Sequence, residues 1–345
     1  MSNRGRGNDA GSVPTMRMVA ARANVSAMTV SRVLEGAPGV RPQTRDRVLA
    51  AVEELGYRRN QIARSLRVGQ ATGLLGLVVT NLANPFYAQL ALGAESAIAA
   101  HGMRVILGNT GEDVEHERRL VDDFASRRVD GMVVVPAGTD HRHLGPDELA
   151  DIPVVLVTRP ARGVDLDAVL IDDFGGAHAA TARLIAAGHS RIGFLGLSTS
   201  VWNITERFRG FTAALEQAHL KPNARHVRRN PPEIAAAEQA ARDLLTTRNP
   251  PTALFCANNL NTMGAVRAIT AAGTTTTVAG FDDFELADML GLPLMVVSYD
   301  AQAIGREAAR MLLARLNHDR SLPRPPSQQT ILPTRVVQHG PLQSP

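Results

Sequence analysis

A short segment beginning at Ser26 has the residue spacing of a capped helix with one apolar face. Ser26 is a helix-capping residue type, and Val30, Val33 and Leu34 fall at the spacing of one apolar helix face. When that face packs inward, the first turns of the helix aim the remaining side chains outward, as a recognition helix requires. The outward positions are Ala27, Met28, Ser31 and Arg32.

The outward residue types suit contacts with a duplex. Arg32 can grip guanine O6 and N7 with two hydrogen bonds, and Ala27 and Met28 can contact a thymine methyl group. Ser26 and Thr29 are better placed for phosphates, helped by the positive end of the helix. The alternative is a plain three-helix bundle in which Arg32 is only solvated.

A second set of candidate residues follows apolar runs in the remainder of the chain. Aromatic rings beside forked donors and acceptors suit a polyol or another small polar ligand. Taken singly, each of these residues has an ordinary structural explanation, such as a surface charge on a helix for Arg207. The set comprises Phe86, Tyr87, Arg159, Arg207, Asn258 and Asp282.

Three short helices are needed to position the first set. Thr15 can cap the first helix, Asn24 suits the turn after it, and Pro42 suits the first turn of the third. The apolar stripe expected on the third helix is Val48, Leu49, Val52 and Leu55.

Alternating runs and amphipathic stretches are expected to position the second set. Continuous apolar runs bounded by helical segments are typical of buried parallel strands joined by crossover helices. Because the pattern restarts near Arg191, it predicts two doubly wound subdomains with a ligand cleft beyond the carboxyl ends of their strands. The runs are Leu74–Val79, Met103–Leu107, Gly131–Val135, Pro153–Val157, Arg191–Leu197, Ala253–Cys256, Thr277–Phe281 and Leu294–Val297.

Charge and composition narrow the function classes. Of the 37 basic and 33 acidic residues, residues 1–70 hold 12 arginines and 5 acids, so a basic end precedes a mildly acidic body. A basic end favours a polyanion partner, although a solvated tail would look the same.

The single cysteine, Cys256, excludes an internal disulfide and a cysteine-based zinc cluster. No phosphate-loop, dinucleotide, zinc-protease or serine-hydrolase motif is present, so we expect no enzyme activity, cofactor or metal.

Fixed-spacing motifs in the first 66 residues resemble the helix-turn-helix signature of the lactose-repressor/galactose-repressor family. The likeness continues through the body to about Val337. The matching residues are Thr15-Met16, Val19-Ala20, Ala23-Asn24-Val25-Ser26, Thr29-Val30-Ser31-Arg32-Val33-Leu34, Thr44-Arg45, Val48, Ala51, Glu54-Leu55-Gly56-Tyr57, Asn60 and Ala63-Arg64-Ser65-Leu66.

The resemblance implies a hinge helix that forms only on DNA. In the family, paired hinges insert a leucine into the minor groove, and Leu66 is the matching residue here, with Asn60 and Ala63 on the same face. The alternative for Leu66 is a partly exposed linker side chain. Arg59 stands where the family has proline.

The resemblance also implies roles in the cleft. Arg207, Asn258 and Asp282 are expected to hydrogen-bond the effector, with Phe86 or Tyr87 packing on it. Arg159 and Asp172 are further candidates, although Asp172 can instead brace a chain crossing.

Several positions depart from the family pattern. Thr158, Asp173 and Asn259 replace common family residues, and Ser298-Tyr299-Asp300 replaces a frequent Arg-Gln-Pro. These changes leave a hexose, a phosphorylated ligand and a nitrogenous ligand all open. Trp202 matches no landmark, so stacking on a sugar and plain packing both remain possible roles.

The expected molecule is a cytoplasmic, nucleoid-associated bacterial repressor, a homodimer or tetramer on a pseudo-palindromic operator, with a solute-binding protein as the alternative. The fold class is an all-α, lambda-repressor-like helix-turn-helix domain plus an α/β periplasmic-binding-protein-like effector domain. The expected segments are a disordered arm (1–14), the DNA-binding domain (15–59), the hinge and linker (60–72) and the effector domain (73–340), with one subdomain at 73–171 and 299–325 and the other at 172–298 and 326–340.

Overall fold

The computed structural model describes residues 14–57, 71–197, 201–319 and 321–340. The chain divides into two compact units, Met1–Thr72 and Gly73–Pro345. Within the described ranges, no helix is both long enough and apolar enough to cross a bilayer.

The first unit is built from three helices, α1 (Met16–Ala23), α2 (Ala27–Leu34) and α3 (Pro42–Leu55). Side-chain caps begin the first two, because Thr15 Oγ1 accepts from the Met18 amide and Ser26 Oγ accepts from the Thr29 amide. Asn24 ends α1 in the left-handed region at φ 51°, as a turn residue should.

The core of this unit confirms the expected apolar face of α2 and corrects one residue of the stripe expected on α3. Val19, Val30 and Val48 are fully buried. Leu49, expected in the stripe, is 46% exposed, and Ala51 is buried instead. Leu49 lies one residue, about 100° around the helix, from Val48, whereas Ala51 lies three residues on and shares its face.

The second unit contains two sheets of six strands. The first has the order β11-β5-β4-β3-β1-β2 and is parallel throughout. Its strands are β1 (Leu74–Val79), β2 (Arg104–Asn109), β3 (Gly131–Val134), β4 (Val154–Val157), β5 (Asp167–Ile171) and β11 (Gln329–Leu332).

The second sheet repeats this arrangement, with the order β12-β10-β9-β8-β6-β7. Only its edge strand β12 is antiparallel, paired with β10. Its strands are β6 (Ile192–Gly196), β7 (Val227–Arg229), β8 (Ala253–Cys256), β9 (Thr277–Phe281), β10 (Leu294–Ser298) and β12 (Arg335–Gln338).

Helices cover the faces of both sheets, as doubly wound sheets require. They are α4 (Pro85–Ala99), α5 (Val114–Ser126), α6 (Asp173–Ala186), α7 (Trp202–Gln217), α8 (Ile234–Leu245), α9 (Asn259–Ala272) and α10 (Ala301–Leu316). Helices α4 and α10 approach closely at Gly93, where an added Cβ would lie 2.1 Å from the Gln302 carbonyl oxygen. The absence of a side chain there permits the contact.

The last strands differ from the expected division between subdomains. We expected 326–340 to belong to the second subdomain, but β11 pairs with β5 of the first sheet and only β12 joins the second. The apolar run Thr330–Val337 is thus divided between two strands in two sheets, separated at Pro333-Thr334. Strands β5 and β7 were not among the expected runs.

Candidate functional site

Helix α2 presents the expected residues away from the core of the first unit. Ala27, Met28 and Arg32 are exposed, Met28 at 72%, while Thr29 and Ser31 are half-buried. Ser26 caps the helix and its hydroxyl lies 2.9 Å from that of Thr29. The outward face therefore carries an apolar start and an arginine one turn later, the chemistry expected for base contacts.

Two of the outward side chains are engaged within the protein. The Arg32 guanidinium donates from Nη2 to the Pro38 carbonyl oxygen at 3.0 Å, and Ser31 Oγ donates to Glu35 at 3.1 Å. Both contacts lie on the exposed surface, where exchange for water or a base costs little. Guanine reading by Arg32 would require it to leave Pro38. Asn60, Ala63 and Leu66, the expected hinge residues, lie outside the described residues.

A cavity of about 280 Å³ lies at the carboxyl ends of both sheets. Thr80 and Thr158 directly follow β1 and β4 of the first sheet, and Asn258 and Asp282 lie one or two residues beyond β8 and β9 of the second. All of the expected effector residues except Asp172 line it. Those that do are Phe86, Tyr87, Arg159, Arg207, Asn258 and Asp282.

The Arg207 side chain of α7 is buried at the cavity and contacts four neighbouring residues. It is 2% exposed; Nε donates to Asp173 Oδ1 at 2.7 Å and Nη1 to the Ala257 carbonyl oxygen at 2.6 Å. Asp282 Oδ1 lies 3.3 Å from Nη1, and the guanidinium carbon lies 3.6 Å from the centre of the Phe281 ring. Burial works against the charge of Arg207, but Asp282 and Asp173 raise its pKa above the ordinary value. These contacts hold the guanidinium in one orientation, facing the ligand space.

Asp282 accepts from two directions at the end of β9. Its backbone is in the left-handed region at φ 69°, which turns the side chain out of the strand line and into the cavity. Tyr299 Oη donates to Asp282 Oδ1 at 2.7 Å. The Tyr299 ring lies edge-on to Phe86, with centroids 5.9 Å apart. Tyr299 therefore contacts both subdomains at the point where the chain crosses between them.

Arg159 is paired in the first subdomain. Its Nη1 and Nη2 donate to the two oxygens of Glu112 at 2.8 and 2.5 Å, and Nη1 also donates to the Pro136 carbonyl oxygen at 2.6 Å. Thr158 before it has φ 64°, a rare value for a β-branched residue, at the position in the first sheet that Asp282 occupies in the second. A residue in the left-handed backbone conformation thus follows the corresponding strand of each sheet and directs its side chain toward the cavity.

The remaining expected residues have mixed environments. Asn258 caps α9, its Oδ1 accepting from the amide and side chain of Asn261 at 2.8 and 2.7 Å. The Tyr87 hydroxyl lies 2.6 Å from Thr80 Oγ1, so its hydrogen bond is satisfied inside the protein. Phe86 is half-buried and offers its ring to the cavity.

Asp172 is the one expected effector residue that the structure places elsewhere. Its exposed side chain caps α6, with Oδ1 accepting from the Gly175 amide at 2.8 Å. The next residue, Asp173, points inward and is 1% exposed. Burial raises the pKa of Asp173 to about 7, even though Arg207 opposes this shift. The start of a helix places consecutive side chains about 100° apart, which decides the roles of the two carboxylates.

Trp202 packs across the cleft rather than into it. It is the first residue of α7, which packs with the second subdomain, yet it contacts the apolar cluster of the first, whose buried members lie between Val78 and Leu170. Asn259 Nδ2 donates to Asn84 Oδ1 at 2.9 Å, a second contact between the subdomains. Of the two roles left open for Trp202, packing is the one observed.

Sequence reasoning missed several residues of the cavity, among them Glu112 and Tyr299. Glu112 was not singled out, although its position just after β2 is the signal that identified the others. Tyr299 was noted only as a departure from a family triplet. Both line the cavity and each holds a charged neighbour in place.

Comparison with known proteins identifies both units. Residues 15–60 match the family described as "Bacterial regulatory proteins, lacI family", and residues 72–335 match "Periplasmic binding proteins and sugar binding domain of LacI family". Because the first match covers a DNA-binding region, the alternative of a solute-binding protein without a DNA role is wrong.

Relatives align over nearly the whole chain. The transcriptional regulator CelR of Thermobifida fusca is 34% identical, covering 90% of this chain and 94% of its own. The transcriptional repressor PurR of Aliivibrio salmonicida (strain LFI1238) is 29% identical, covering 89% and 95%. A structure of the Lac repressor dimer bound to operator and an anti-inducer has a TM-score of 0.77 at 25% identity, covering 96% and 100%. A structure of a CelR–cellobiose complex has a TM-score of 0.69 at 31% identity, covering 94% and 99%.

The expected fold class, an all-α helix-turn-helix domain followed by two doubly wound subdomains, is confirmed by these matches together with the observed sheets. The protein is therefore a member of the LacI family of bacterial regulatory proteins, a DNA-binding transcriptional regulator with a sugar- or metabolite-binding domain.

Proposed function

We propose that the protein is a transcriptional repressor that binds a pseudo-palindromic operator as a homodimer and changes its operator affinity when a small sugar-like effector occupies the cavity. The observation that carries the proposal is the cavity itself, which both subdomains line with fixed polar groups. Support for the DNA target comes from α2, whose exposed face presents Ala27, Met28 and Arg32. Support for a two-fold dimer comes from the Lac repressor dimer bound to operator.

The cavity offers a physical route from ligand to DNA. Residues of the first subdomain, such as Arg159, and of the second, such as Arg207, line the same space, so a bound ligand stabilises one relative position of the two. A ligand shifts such an equilibrium only by its difference in affinity for the two positions. If the paired hinges order in only one position, the ligand sets operator affinity.

Two further expectations belong to the proposal. DNA as the target implies a cytoplasmic, nucleoid-associated protein, and the relatives are regulators rather than enzymes, so we expect no catalytic activity. Within the described residues, no group of three or more His, Cys, Asp or Glu side chains is placed to hold a metal ion.

The test is operator binding by the full chain with and without effector. Genomic fragments bound by the protein would supply the operator, and fluorescence anisotropy would measure its affinity. The Asp282→Ala variant should keep operator affinity but lose the effector response, since it removes the acceptor shared by Arg207 and Tyr299. Asp283→Ala is the matched control, because that neighbour does not line the cavity. No preference for any genomic fragment would refute the proposal, and a normal response in Asp282→Ala would remove that residue from the site.

A further inference from the structure

The cavity contains more carboxylates than cations. Its described lining has two guanidinium groups against three carboxylates, and Asp173 lies directly behind one of the guanidiniums. The charged lining residues are Glu112, Arg159, Arg207, Glu233 and Asp282. No lysine or histidine belongs to this described lining, so the two arginines are the only cations there that an anionic ligand could use.

The first of these guanidiniums is neutralised by the protein. Arg159 is 5% exposed and forms a two-pronged pair with Glu112, the geometry in which an arginine recognises a carboxylate or a phosphate. A phosphate group would have to displace Glu112 to take its place. Displacement would leave a partly buried carboxylate without its partner, which is costly.

The second guanidinium contacts two carboxyl groups. Arg207 pairs with Asp173 at 2.7 Å and lies 3.3 Å from Asp282. A ligand phosphate near Arg207 would therefore face Asp282 at close range, where like charges repel strongly because Asp282 is largely buried. The rim residue Glu233 adds a further carboxylate to the lining.

We propose that the effector carries no phosphate or other net negative charge, and that Glu112 and Asp282 enforce this by occupying the arginines that an anion would need. The inference rests on the proposed function and concerns the class of effector. It selects among the ligand classes that the sequence left open, and it excludes the phosphorylated one.

The uncharged groups of the cavity are consistent with a hydroxyl-rich, uncharged ligand. Asn81, Asn84, Asn109 and Asn203 all line it, and amides both donate to and accept from hydroxyl groups. Asn203 Oδ1 is buried without a hydrogen-bond partner among the described residues, an acceptor that a ligand hydroxyl can satisfy. The Phe86 ring supplies an apolar surface beside these groups.

The test compares matched pairs of ligands on the full chain. The probes are D-ribose with D-ribose 5-phosphate and D-glucose with D-glucose 6-phosphate, titrated by calorimetry at one ionic strength. At least one uncharged member should bind, and its phosphorylated partner should bind at least about tenfold more weakly. A phosphorylated member that binds as tightly as its parent overturns the inference. So does a panel in which no uncharged member binds, because the class named would then not be recognised.

A variant that removes one negative charge tests the same inference, because it should bind a phosphorylated sugar more tightly than the wild type does. Glu112→Gln releases Arg159, so D-ribose 5-phosphate should bind the variant at least about tenfold more tightly than it binds the wild type. Glu115→Gln on α5 is the matched control, since its carboxylate is 75% exposed and outside the cavity. If Glu112→Gln fails to fold, Glu233→Gln at the rim replaces it, with a smaller gain expected. Unchanged phosphate-sugar affinity in the folded variant counts against the inference.

Operator binding, measured on the same samples, separates the two claims. Loss of all DNA preference would refute the proposed regulator and leave the ligand preference to be judged alone. Intact operator binding with a preference for phosphorylated ligands would refute only the inference on charge.

Discussion

Asp173→Asn should make the effector domain less sensitive to pH. Burial raises the pKa of Asp173 from an ordinary 3.8 to about 7, because the cost of removing the carboxylate from water exceeds its attraction to Arg207. A carboxyl group with a raised folded-state pKa stabilises the fold fully below the unfolded pKa. That stabilisation is lost as pH rises to the folded value, so the window runs from about pH 4 to about pH 7.

The magnitude follows from the size of the shift. Each pKa unit corresponds to about 1.4 kcal/mol, so the full window is worth about 4 kcal/mol and the part between pH 5 and pH 7 about 2 kcal/mol. For a domain of this size, the part between pH 5 and pH 7 is worth roughly 4–8 °C in melting temperature. The amide introduced by Asp173→Asn cannot ionise, yet its oxygen can still accept from Arg207 Nε. The variant should therefore gain on the wild type by this amount as pH rises from 5 to 7.

The assay is thermal unfolding followed by tryptophan fluorescence at several pH values. Trp202 is the only tryptophan of the chain and lies in the effector domain, so the signal reports this domain. Asp172→Asn is the control, because it makes the same chemical change at the exposed neighbour and asparagine caps a helix as well. Other titrating groups are common to all three proteins and cancel in the differences. A constant gap between Asp173→Asn and wild type from pH 5 to pH 8 would refute the reasoning.

Three other predictions concern DNA and effector binding. Arg32→Ala should weaken operator binding by about 1–3 kcal/mol and spare nonspecific DNA, as anisotropy at matched salt would show; equal losses on both DNAs would contradict base reading. Tyr299→Phe removes the donor to Asp282 and should weaken effector binding by about 1 kcal/mol in calorimetry, with unchanged operator affinity; an unaltered effector affinity would count against it. Trp202→Ala should lower effector affinity by weakening the contact between subdomains, whereas an unchanged titration would show that this contact has no part in closure.

The helix-turn-helix was readable from the sequence because its determinants are local. Thr15 and Ser26 cap helices through bonds to amides three residues away, and the positions of Val30 and Val33 follow from helix geometry. The error at Leu49 is a single residue assigned to the wrong face of a helix that was itself correctly expected.

The cavity was readable only in outline. Strand ends predicted where Arg159, Asn258 and Asp282 would lie, since parallel strands bring their carboxyl ends to one edge. Which carboxylate faced inward was not readable, and Asp172 was chosen where Asp173 is buried. Both are adjacent aspartates at a helix start, so local pattern does not separate them.

The local sequence was sufficient to predict the helix caps, the apolar faces and the succession of strands, because these features depend on neighbours within a few residues. The charge balance of the cavity was settled by the folded arrangement. Arg159 meets Glu112 across 47 positions of sequence and Arg207 meets Asp282 across 75. Pairing over such distances depends on the order of the strands and helices within each subdomain. In another arrangement, the same residue types at the same spacing would leave the arginines open to an anion.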